Sequence, residues 1–183
     1  PLNWIYNQKP PYSMQYAFFE LESRLGNIIP ELKPDIPISY GYRVTRLSSS
    51  TSNAVVFNYS PPGCLQVIDP SIEQSSILPE LVAKAAPLSN LNQIIVDTNP
   101  PLQIIDELFG KGSELNWCYY YEKADLARQK NDWNKVIQIG NKAFELGFSA
   151  ENSIEYLPFI EGYACSDQLN RAYKLTKDAF RSM

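Results

Sequence analysis

A mixed α/β unit, a sheet with flanking helices, followed by an all-α pair of helical hairpins is the fold class this sequence predicts. Three observations predict it. Eleven of the 14 prolines precede Pro100, marking a first half rich in turns. Short β-branched and aromatic runs, punctuated by Ser, Pro, Gly and Asn, fill that half. Beyond residue 113 the apolar residues recur at helical spacing, and the pattern returns after 36 residues.

The strand candidates are ISYGYRV (Ile38 to Val44), AVVFNY (Ala54 to Tyr59), CLQVI (Cys64 to Ile68) and QIIV (Gln93 to Val96). MQYAFFELESRL (Met14 to Leu25) and LPELVAKAA (Leu78 to Ala86) read as helices, with straight-chain residues and no internal glycine. SSSTSN (Ser48 to Asn53) reads as a turn or loop, because small hydroxyl and amide side chains compete for backbone hydrogen bonds. PPG before Cys64 reads as a tight reversal in which Gly63 takes a backbone conformation other residues resist. The expected organisation is an α/β domain over residues 1–100, a connection over 101–113 and a helical domain over 114–183. LNWIY directly after Pro1 resembles the middle of a helix, so the first domain is expected to be truncated and the chain to be a piece of a longer protein.

In the helical half, Trp117, Tyr120, Ala124 and Ala127 form one stripe, and Trp133, Val136, Ile137, Gly140, Ala143, Phe144 and Gly147 a second. Two helices facing each other follow, with Asp132 as N-cap of the second and Gly147 just past its end. The 36-residue offset lays Trp133 on Leu169, Val136 on Ala172, Ile139 on Leu175, Ala143 on Ala179 and Phe144 on Phe180. Asn152 and Glu155 make an approximate capping box for a third helix, whose start Pro158 should delay or kink.

Composition narrows the chemistry. The 183 residues are 44% hydrophobic, 13% aromatic and 20% charged, which suits a folded domain. Sixteen basic and 20 acidic residues give a net charge of −4 with no basic stripe, so nucleic acid is not an expected partner. The longest apolar runs span only a few residues, far short of the ~20 that cross a bilayer, so no membrane insertion by this stretch of chain is expected. With no histidine there is no Ser/His/Asp or Cys/His nucleophile arrangement and no histidine-bearing zinc site. Phosphate-cradling glycine loops are absent too. No cofactor, no metal and no catalytic residue are therefore assigned. Cys64, Cys118 and Cys165 show no CxxC spacing, and an odd count leaves at least one free thiol. Cys64 and Cys118 are read as packed, inert thiols, which fits either a reducing compartment or a bacterial exterior that does not rely on disulfides. Asp69, Asp97 and Asp106 read as ordinary strand-end or cap residues.

On Ala124, Ala127, Trp133, Val136, Ala143 and Leu146 the second half resembles a tetratricopeptide-type helical repeat, departing from it at Ile160, at Val136 and in the period. The segments NYSPPGCLQVIDP (Asn58 to Pro70) and WCYYYEKADLAR (Trp117 to Arg128) are also similar to a soluble C-terminal region of bacterial multi-pass membrane proteins, among them ones resembling lipid-linked-sugar glycosyltransferases. That resemblance implies an extramembrane domain of a membrane-tethered parent, on the extracytoplasmic side, with a cytoplasmic placement as the alternative. The tetratricopeptide arrangement implies that Tyr121, Asp125 and Arg128 line a groove that takes a protein or peptide, the rest of the parent chain being one such partner. The competing reading packs Tyr121 on the α/β half and leaves Asp125 and Arg128 as a solvated face. The functional expectation is a non-catalytic interaction or structural domain. The alternative is a substrate-recognition or catalytic domain acting on a sugar or lipid-linked glycan.

Overall fold

The computed structural model describes residues 17–71, 78–94 and 116–181. The chain divides into two compact units: Pro1–Val56 with Ile68–Ser113, and Phe57–Val67 with Glu114–Met183. The expected connection over 101–113, Asp97 and Asp106 lie outside the described residues.

In the first unit, helix α1 (Leu21–Arg24) is one turn, so only the end of the expected Met14–Leu25 helix is realised; residues 17–20 form neither helix nor strand, and 14–16 lie outside the described residues. Strands β1 (Pro37–Tyr42) and β2 (Thr45–Ser50) pair antiparallel, with Tyr42 opposite Thr45. The ISYGYRV strand thus ends two residues early. Arg43 turns the chain at φ 54, and the fully exposed Val44 completes a two-residue hairpin loop. Half of the expected SSSTSN loop is strand, because Ser48 to Ser50 continue the ladder begun by Thr45; the loop proper is a 3-10 turn at Thr51–Asn53. Helix α2 (Glu80–Ala85) falls inside the expected Leu78–Ala86 helix. Of the last strand candidate, Gln93 ends a 3-10 turn at Leu91–Gln93 and Ile94 is extended but outside any strand; residues 95 and 96 lie outside the described residues.

Among the described residues of the first unit, Val56, Ile68 and Ala85 form a buried core cluster, with Leu21, Leu32, Leu78 and Val82 against them. Polar anchors supplement it. The Thr51 hydroxyl donates to Lys33 O and accepts from Ile36 N, and Ser89 Oγ accepts from Val56 N at 3.1 Å. Buried hydroxyls that satisfy backbone groups in this way hold loops where apolar area is scarce.

The second unit combines a short hairpin with four helices. Strands β3 (Phe57–Asn58) and β4 (Gln66–Val67) pair antiparallel, Phe57 opposite Val67. The helices are α3 (Trp117–Gln129), α4 (Trp133–Glu145), α5 (Leu157–Cys165) and α6 (Leu169–Arg181). Asn116 caps α3 through Tyr119 N, and Asp132 caps α4 through Lys135 N at 3.1 Å. Gly147 takes φ 79 just past α4, a conformation that suits glycine. Pro158 delays α5 as expected: a 3-10 turn at Ser153–Tyr156 precedes it.

The sequence repeat is realised in the backbone. Helices α4 and α6 start and end 36 residues apart. Asn131 (φ 56) and Asp167 (φ 58) occupy equivalent left-handed positions in the two interhelical turns. Asp132 N donates to Ala127 O, and at the equivalent place Gln168 N donates to Tyr163 O, both at 2.9 Å. Inside, Trp117, Tyr120, Ala124 and Ala127 are all buried, as are Val136, Gly140 and Ala143. Phe159, 1% exposed, closes the core against Trp117 and Phe144.

Candidate functional site

The α3 segment WCYYYEKADLAR, where sequence placed a binding strip, packs against α4, α5 and β4. Its expected exposure is corrected: Tyr121, Asp125 and Arg128 are 5%, 3% and 7% exposed. Two faces of α3 are covered, one by the helical neighbours and another by the 57–67 hairpin, so the stripe of four residues underestimates the buried arc.

Arg128 and Asp125 form a buried pair, with Arg128 Nε and Nη2 each 2.8 Å from Asp125 Oδ1. Gln129 Nε2 donates to Asp125 Oδ2 at 2.9 Å and to Val67 O at 2.8 Å, linking the pair to β4. Arg128 Nη1 lies 3.4 Å from Glu161 Oε2 on α5. Burial raises the Asp125 carboxyl above the ordinary carboxylate range despite Arg128, and burial together with the neighbouring Asp125 and Glu155 carboxylates pushes the Tyr121 phenol upward. A ligand reaching these groups would first have to break their mutual bonds.

A second correction concerns the thiols. Cys64 and Cys118 are joined in a disulfide, with Cα atoms 5.2 Å apart. Cys165 is free and exposed. Beside the disulfide, the buried Glu155 carboxylate accepts from Cys64 N at 2.8 Å and from Trp117 Nε1 at 2.6 Å. Glu155 therefore does not complete the expected capping box: Asn152 caps Ile154 N, while Glu155 turns inward. Gly63 is demanded by space rather than by φ. A Cβ there would sit 3.0 Å from Ser60 O and 3.3 Å from Glu155 Oε1. The hairpin is thus fixed to the helices by a covalent bond, by Glu155 and by Gln129.

In the first unit, a recess of about 350 Å³ is lined by polar groups that include Ser52, Asp69, Ser89, Asn90 and Asn92. Asp69 has the ordinary capping role, accepting from Ser71 N at 2.8 Å and from Ser71 Oγ at 2.6 Å. Asn90 donates to Ser52 O and accepts from Asn92 N. Among the described residues no group of three or more His, Cys, Asp or Glu is placed to hold a metal ion, and no helix is long and apolar enough to cross a membrane.

Comparison of the chain with protein-family models, with curated proteins and with solved structures finds no match.

Proposed function

We propose that this chain is a non-catalytic interaction or structural domain, an extramembrane part of a larger bacterial membrane protein, with tetratricopeptide-like hairpins as its working surface. The observation that carries the reading is the use of α3. Its carboxylate, guanidinium and sulfur groups are spent on each other and on the 57–67 hairpin, which supports a scaffold over a reaction centre. The Cys64–Cys118 disulfide supports the extracytoplasmic placement, because such bonds persist in oxidising compartments. The recess around Asp69 and Asn90 is the feature that favours glycan recognition, but prolines and leucines line much of it, and the side-chain bonds just described already occupy Asp69 and Asn90.

Exposed Cys165 is a built-in reporter of location. In spheroplasts of the native host, a membrane-impermeant maleimide should label Cys165 without lysis; labelling only after lysis would place the domain inside and overturn that part. Incubation of the purified chain with free and lipid-linked glycans should leave them unchanged, and sugar release or transfer would overturn the non-catalytic reading.

A further inference from the structure

The repeat supplies a template for the outer face of α6. Helix α5 covers α4 through a defined set of contacts. A Cβ on Gly140 would lie 2.5 Å from Phe159, and one on Gly162 would lie 2.7 Å from Val136. The Phe144 and Phe159 rings meet edge to face at 5.5 Å, and Tyr163 Oη donates to Asn141 Oδ1 at 2.7 Å. Advancing 36 residues, the α4 positions Trp133, Ile137, Gly140, Asn141 and Phe144 become Leu169, Tyr173, Thr176, Lys177 and Phe180. In α4 the apolar members of this set are buried or half-buried. In α6 Leu169, Tyr173 and Phe180 are 65%, 70% and 74% exposed. An apolar stripe, interrupted by Thr176, thus lies open where the preceding repeat carries a helix.

The flank of the stripe indicates what would cover it. Gln138, Asn141 and Glu145 of α4 correspond to Lys174, Lys177 and Arg181 of α6, all exposed. An edge that is neutral to acidic in one repeat is basic in the next. A second copy of the chain is disfavoured, since in a two-fold pair this basic flank would face itself. We propose that the outer face of α6 docks one amphipathic helix of a partner protein, laid along it as α5 lies along α4 but with a small residue opposite Thr176, whose Cβ leaves no room for the ring that Phe159 sets over Gly140, and bearing carboxylates opposite Lys177 and its basic neighbours. This rests on the interaction-domain reading above and names the partner's chemistry.

The test uses the full 183-residue chain and a peptide of residues 151–168 carrying Phe159→Ala, Tyr163→Glu and Cys165→Ser, held helical by a lactam on its solvent face; Phe159→Ala removes the ring that Thr176 would exclude. Titration by fluorescence anisotropy should show saturable binding. Tyr173→Asp with Phe180→Asp should abolish it while circular dichroism and melting stay unchanged, because both side chains are exposed. Lys177→Glu should weaken binding about tenfold, a 1.4 kcal/mol effect, and a peptide with Tyr163→Lys should restore it. Absence of saturable binding, or binding indifferent to these changes, overturns the proposal. So does a dimer in sedimentation that Phe180→Asp dissolves, or binding to phosphatidylglycerol vesicles that the peptide does not displace. Glycan turnover would instead sink the functional reading and leave peptide binding as it is, so the two failures are separable.

Discussion

The helical unit buries rings and a covalent staple, whereas the first unit buries hydroxyls and loop backbone. In the former, Trp117, Tyr120, Phe144, Tyr156 and Phe159 belong to one core cluster, and the Trp117 indole donates to the buried Glu155 carboxylate. In the latter, the described residues give a core cluster of Val56, Ile68 and Ala85, and Thr51 and Ser89 hold the chain by bonding to backbone. The difference teaches where each unit is vulnerable. Aromatic packing tolerates the loss of single polar contacts poorly only where charge is buried; a loop-built unit depends on each anchoring hydroxyl.

The largest expected effect is at the buried pair. Arg128→Ala should cost about 3–5 kcal/mol by stranding the Asp125 carboxyl in the interior, read as a fall in the denaturant midpoint. An unchanged midpoint would show that water reaches Asp125, and the contrast with the first unit would lose its main support. Next is the disulfide, which closes a loop of 54 residues. Reduction, or Cys64→Ser with Cys118→Ser, should lower stability by about 4 kcal/mol on the chain-entropy account. Thiol titration of the unfolded, unreduced chain should find one group; three would remove the staple from the comparison.

Ala143→Leu should cost about 1–3 kcal/mol, since the site is fully buried between helices and a larger side chain overpacks it. An unchanged melting temperature would mean that the helical core is looser than its aromatic contacts imply. The smallest effect is expected in the first unit. Thr51→Val keeps the side chain's shape but leaves Lys33 O and Ile36 N without the hydroxyl, at about 1–2 kcal/mol. Faster hydrogen exchange at the Ile36 amide should accompany it. A neutral result would mean that the small apolar core, not its hydroxyls, sets that unit's stability.

The helical half was legible because its signals are local. The i, i+3, i+7 stripe of Trp117, Tyr120 and Ala124, the Asp132 cap, Gly147 and the delay at Pro158 depend on residues a few positions apart, and helical geometry fixes what such spacing does. The first half was harder. A run such as ISYGYRV carries strand propensity without stating where the chain turns, and only pairing with TRLSSS puts Arg43 and Val44 in the loop. Of the proposed strip, sequence could place Tyr121, Asp125 and Arg128 on one helix but not decide whether that face was wet.

Periodicity and backbone preference along one segment were enough to specify the helical repeat, its period, the Asp132 cap, the Gly147 terminus and the small residues at helix contacts. Tertiary structure alone decided that Cys64 meets Cys118 and that Glu155 turns inward to Cys64 N and Trp117. It also buried Asp125 and Arg128 beneath a hairpin that precedes them by some sixty residues. Three cysteines allow three pairings, and burial of a charge depends on which distant segment covers it. Those choices are made by packing of segments remote in the chain, for which local spacing carries no signal.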